Sequence, residues 1–159
     1  MNKLENKRIL PENIYKAIKK IKDKHPEAIF GGSIALTAMG LLNREIHDID
    51  VFFDRRCSID FDLFEKSNGS SSNVAYTYDN EKVTSILTPC KVNGVKCCVF
   101  QEKSEFLQHS TFSIFGEKIN ISQANLAIDA KRRYAKGGAI KHINDLKFID
   151  NALADLFKW

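Results

Sequence analysis

The chain has 159 residues and a mass of 18.1 kDa, with 43% hydrophobic and 28% charged residues. That length suits a single domain spanning 1–159, and the composition excludes a disordered tail or a fibrous repeat. The net charge of +4 hides an uneven distribution: residues 1–24 and 131–159 together contribute +9, and residues 25–130 contribute −5. Basic ends around an acidic centre suit a polyanionic ligand meeting a carboxylate-rich site, since Lys and Arg attract phosphate and clustered Asp recruits metal. Lysine-rich helices that merely face water give the same count. The longest apolar stretches, such as Ile34–Leu42, fall short of the roughly 20 residues a membrane span requires, so no membrane association is expected. The opening MNKLENKRIL lacks an apolar signal core, and Cys57, Cys90, Cys97 and Cys98 lack C-x-x-C spacing. Both features predict a cytoplasmic chain with free thiols.

In chain order, Ile14, Tyr15, Ile18 and Ile21 follow Pro11 at helical spacing and predict an N-terminal helix over 11–24, within a segment 1–26. A sheet core is expected over 27–121. It begins with a short strand, Ala28–Phe30, running into Gly31-Gly32-Ser33 and then a helix Ile34–Leu42 capped by Ser33. Asp48–Phe53 reads as a strand, and Ser58 as the cap of a short helix through Phe64. Ser67–Asn73 reads as an exposed flexible loop. Val74–Tyr78, Val83–Lys91 and Val95–Phe100 read as strands, the last two joined by a tight Asn93-Gly94 turn. A second hairpin is expected around Gly116, followed by helices over Ser122–Ala135, capped by Ser122, and Ile140–Phe157, which make up 122–159. The order implies an α+β domain, a mixed β-sheet flanked by helices with two C-terminal helices.

The most informative constellation is Gly31-Gly32-Ser33 followed, after the fourteen residues Ile34–His47, by Asp48-Ile49-Asp50. Strand residues two apart share a face, so Asp48 and Asp50 present their carboxylates together while Ile49 and Val51 face the core. Adjacent carboxylates repel unless a cation lies between them, and hard oxygen ligands suit Mg²⁺. The glycines permit an unobstructed turn, and the backbone behind them offers N–H groups to a phosphate. A second pair, Asp60 and Asp62, is expected to face solvent, and His47, which parity sends to the other strand face, is expected to have a surface or packing role rather than a ligand role. Arg44, Arg55 and Arg56 are ordinary surface arginines or phosphate contacts. Lys131-Arg132-Arg133 is a solvated helix end or a nucleic-acid contact, and Tyr76 and Tyr78 pack or stack on a base.

The glycine turn opening a helix and the Asp48-Ile49-Asp50 strand resemble the nucleotidyltransferase superfamily. More narrowly, they look like its minimal and its abortive-infection or toxin-type members. The tail is similar too: the Phe115–Ser122 hairpin, Asn125-Leu126-Ala127, Lys131, and Lys141-His142-Ile143-Asn144-Asp145-Leu146. The resemblance covers roughly 28–150 and implies a nucleotidyltransferase-like fold. It implies Mg²⁺ or Mn²⁺ as cofactor and an NTP substrate, with an acceptor oxygen attacking the α-phosphorus and pyrophosphate leaving. Asp48 and Asp50 would bind metal and carry catalysis, Gly31, Gly32 and Ser33 would hold phosphates, and Lys131 would meet the triphosphate charge. Lys141 and Asp145 match the tail, with a role in packing or orienting the helices. An RNA end, a protein side chain or a small hydroxyl compound would be the acceptor.

One departure matters. The family's third carboxylate commonly lies in a G-h-K-h-D-h-h strand; the matching stretch here is Gly94-Val95-Lys96-Cys97-Cys98-Val99-Phe100, with Cys98 in the acidic place. Cysteine is a poor Mg²⁺ ligand. Either Glu102 or Glu105 substitutes, or the chain is a catalytically degenerate nucleotide- or partner-binding module, antitoxin-like in character. A nucleic-acid-binding domain using the basic ends is a third reading.

Overall fold

The computed structural model describes residues 3–66, 71–78, 81–103 and 107–156. After a 3₁₀ turn at Lys3–Glu5 come α1 (Glu12–Lys24), β1 (Ile29–Phe30), α2 (Gly32–Ala38) and β2 (Ile49–Asp54). Then follow β3 (Glu65–Lys66), β4 (Ser72–Tyr78), β5 (Glu81–Val92), β6 (Val95–Glu102), β7 (His109–Ile114) and β8 (Glu117–Ser122). The helices α3 (Ala124–Lys136) and α4 (Ile140–Leu156) complete the order.

The strands form one mixed sheet in the order β3-β5-β6-β2-β1-β8-β7, with β4 also pairing with β5. β2 runs parallel to β6 and β1 parallel to β8; the other pairs are antiparallel. The fold is therefore α+β, a mixed sheet with helices. Two turns follow from local chemistry. Asn93 and Gly94 have φ of 50° and 76°, and Phe115 and Gly116 have 50° and 78°, the pair of positive angles that a two-residue turn needs to match strand twist. Glycine supplies the second position at no steric cost.

Alternation along β2 separates two faces: Ile49, Val51 and Phe53 are buried, and Asp50, Phe52 and Asp54 are only half-buried. The first set joins Ile14, Ile18 and Ile21 of α1 in the core, and the His25 ring stands 5.3 Å from that of Phe53, edge to face. Asp50 and Phe52 of the second set line a cavity under α3.

Several expectations are corrected. α2 starts at Gly32, not Ile34; Gly31 stands at its N-cap, no side chain caps it, and it ends at Ala38, before Gly40 at φ 77°. Ser33 does not cap because its hydroxyl accepts from Arg44 Nη2, 3.0 Å away. No helix forms over 58–64, which are turns: Asp60 binds the Asp62 N–H locally, as a turn-forming Asp does, and pairs with Lys24 at 3.3 Å. Ser122 is the buried last residue of β8, so Gln123 takes the N-cap of α3, again with no side-chain cap. β4 begins at Ser72, earlier than expected; residues 67–70 of the expected loop lie outside the described residues, as do Glu105, Phe157 and the side chains of Tyr76 and Tyr78.

Candidate functional site

β1 leads straight into the glycine turn, and β2 lies antiparallel beside it, so the Gly31 N–H donates to the Asp50 carbonyl at 2.9 Å. The turn and the acidic strand therefore adjoin. Gly32 has φ of 54°, and a Cβ there would collide with Asp50 Oδ2; a Cβ on Gly31 would come within 2.5 Å of the Phe52 ring. Only glycine lets the turn approach this closely.

Asp48 sits just before β2, half-exposed, with Lys141 Nζ of α4 at 3.7 Å from its Oδ2. Burial, and then the neighbouring charge of Asp48, push the Asp50 carboxyl up to about 6 against the opposing influence of Lys131, Lys141 and Lys96. A carboxyl so disfavoured as an anion gains from any cation placed beside it. Asp48 and Asp50 are the residues here that could hold a hard divalent cation. Among the described residues no group of three His, Cys, Asp or Glu side chains is arranged to hold a metal.

The parallel register places Cys98 directly beside Asp50. Burial, and then Asp50, push its thiol up to about 11, so it is neutral near pH 7 and is no hard ligand. Glu102 is on the same face of β6, opposite Asp54, but four residues farther along, about 13 Å at 3.3 Å per residue. It does not occupy the place of Cys98.

Lys131 is almost wholly buried. Its Nζ is 2.8 Å from Asp145 Oδ2 and 3.1 Å from His142 Nδ1. Asp145 also receives two hydrogen bonds of 2.7 Å from Arg44, whose Nη2 donates to Ser33 as well. Burial alone would raise the Asp145 carboxyl, but the bonds from Arg44 and Lys131 hold it at about 2. This network, which sequence reasoning missed, locks α3 and α4 onto the glycine turn. Lys131 and Asp145 stand fourteen positions apart on different helices, so no local pattern announces the pair. Arg56 binds Asp54 at 3.2 Å, and His47 is exposed, which leaves the surface role of the two expected for it.

Between α3 and the sheet lies a cavity of about 200 Å³ reaching from Gly32 and Asp50 to Ser85 and Glu102. The rings of Phe52 and Phe100, stacked at 4.6 Å, line its middle, and Leu126, Ala130 and Tyr134 of α3 cover it. No described helix is long and apolar enough to cross a membrane. Compared with known proteins, the chain matches no family model, no curated protein and no solved structure.

Proposed function

We propose that the chain is a Mg²⁺-dependent nucleotidyltransferase-like protein that transfers a nucleoside monophosphate from an NTP to an acceptor: RNA, protein or a small hydroxyl compound. The observation that carries the reading is the contact of Gly32 with the Asp50 carboxylate, which sets the glycine turn beside the acidic pair. A triphosphate lying along Gly31, Gly32 and Ser33 would have its charge next to Asp48 and Asp50, and a divalent cation would supply the charge neutralisation that both sides need. Asp50, disfavoured as an anion by burial and by Asp48, would gain most from the cation beside it. Lys131, engaged by Asp145, would fix the helix that roofs the site, and Lys141, beside Asp48, would be the cation nearer the phosphates.

NTP with Mg²⁺ is expected to raise the melting temperature of the chain, and Asp48→Asn with Asp50→Asn to abolish the shift. Differential scanning fluorimetry measures this, and an unshifted parent chain would count against the reading. A second reading, a catalytically degenerate binding module of the same fold, is favoured by the register of Cys98 beside Asp50. Under it, the parent chain binds nucleotide without transferring label from an α-labelled NTP, and Cys98→Asp creates or greatly increases transfer.

A further inference from the structure

The cavity under α3 is apolar through its middle. Phe52 and Phe100 stand side by side in the parallel register of β2 and β6, their ring centroids 4.6 Å apart. Val74 of β4 and Leu126 and Ala130 of α3 close round them. An apolar cavity of about 150 Å³ is known to hold benzene, so the about 200 Å³ here has room for one ring and a short substituent. Gln108 and Tyr134 line the cavity and are exposed, so it opens to solvent beside them.

One polar atom in this enclosure is unmatched. Ser85 lies on β5 two residues from Leu87, the partner of Phe100, and therefore shares the face of that ring about 6.6 Å along the strand. It lines the cavity, is fully buried, and its hydroxyl finds no hydrogen-bond partner among the described residues. A serine hydroxyl can both donate and accept, and leaving it unmatched in an apolar enclosure is costly. A ligand hydroxyl that reaches it removes that cost.

The charged residues of the wall favour neither sign of ligand. Glu102 and Arg133 line the cavity with opposite charges, and each already has a partner within the chain. Asp54, bound by Arg56, lies outside the lining. Asp50 is at the end away from Ser85, beside Gly32, and already feels the positive charges of Lys131 and Lys141. An ion would leave water for apolar walls with no counter-charge reserved for it, which is unfavourable. A few polar groups in an otherwise apolar pocket instead orient a neutral ligand.

We propose that this cavity binds a small uncharged compound, a single ring bearing one hydroxyl on a short arm, with the ring against Phe52 and Phe100 and the hydroxyl paired with Ser85. Binding of this kind requires only the cavity and stands whether or not the chain transfers nucleotides.

Four probes of nearly equal shape test it by chemical-shift titration of the full chain: benzyl alcohol, ethylbenzene, benzylamine and benzoate. The alcohol and the hydrocarbon are expected to bind, and each ion to bind about tenfold or more weakly than the alcohol. Ser85→Ala is expected to weaken the alcohol about fivefold or more and to leave ethylbenzene no weaker, since only the alcohol loses a hydrogen bond. The same variant is expected to unfold at a urea concentration no lower than the parent's, because it sheds a buried hydroxyl that had no partner. Ala130→Phe, which fills the cavity from α3 and leaves Ser85 in place, is expected to remove binding of both and keeps the test decisive if Ser85→Ala does not fold. Absence of benzyl alcohol binding, either ion binding as tightly as the alcohol, or an alcohol affinity untouched by Ser85→Ala or by Ala130→Phe would overturn the proposal.

Discussion

Gly32 has a backbone angle that an L side chain resists and a neighbour, Asp50, that leaves no space for a Cβ. Gly94 has a similar angle, φ 76°, with nothing within 4 Å of the added carbon. Gly94→Ala therefore carries only the backbone cost, about 1–2 kcal/mol. Gly32→Ala is expected to cost more, and urea unfolding of the two variants measures the difference. Asp50 yields a prediction with a defined sign. Its folded carboxyl titrates at about 6 against an ordinary 3.8, so between those values the native state binds more protons than the unfolded one and stability falls as pH rises. Asp50→Asn is therefore expected to stabilise the chain at pH 7 by up to about 3 kcal/mol, with little gain near pH 4. Equal urea midpoints for parent and variant at pH 7 would contradict this. The alternation within β2 that buries Ile49, Val51 and Phe53 and leaves Asp50 on the other face was legible in the sequence. The raised carboxyl was not, because it depends on α3 and α4 closing over a strand some 80 residues earlier in the chain.

At the scale of elements, the Asp145 carboxylate of α4 joins Lys131 of α3 and Arg44, which lies past α2 and donates to Ser33 within it. Asp145 and Lys131 are each 6% exposed at the side chain, so removing the anion strands a buried cation. Asp145→Ala is expected to cost about 3–5 kcal/mol and to raise amide exchange along α4 before it does so in β5 and β6. Protection of α4 equal to that of the parent would contradict the role given to the network. Sign matters here as well: Asp145, held at about 2, contributes stability that is present above pH 3.8 and lost as pH falls through about 2. The two hairpin turns could be read from Asn93-Gly94 and Gly116, since their angles are a local matter. The helix expected over 58–64 failed because its polar residues satisfy turns as readily as caps, and long-range contacts of Asp60, whose N–H donates to His25 Nε2 and whose carboxylate pairs with Lys24, favour the turns. Helix starts at Gly32 and Ala124 were misplaced for a related reason: Ser33 and Ser122 had partners or positions in the sheet that outbid capping.

Over the whole molecule, the sheet order interleaves early and late chain segments. β1, at residues 29–30, is held between β2 and β8, and its partners Asn120 and Ile121 come some 90 residues later. No spacing rule in the sequence announces that pairing, which is why the strands could be anticipated singly and their order could not. Because β1, the strand that joins β8 and β7 to the rest of the sheet, is only two residues long and needs both neighbours, the two parts of the sheet should lose structure together. Circular dichroism at 222 nm and near-ultraviolet tyrosine signals are expected to report coincident urea transitions; separated midpoints would mean the halves are independent. Gly31 ties the turn to the cavity wall, since any carbon added there meets the Phe52 ring, which itself leans on Phe100. Among descendants of this chain, enlargement at position 31 should be tolerated only where position 52 has shrunk, so that the history of the loop and the shape of the chamber are inherited as one trait.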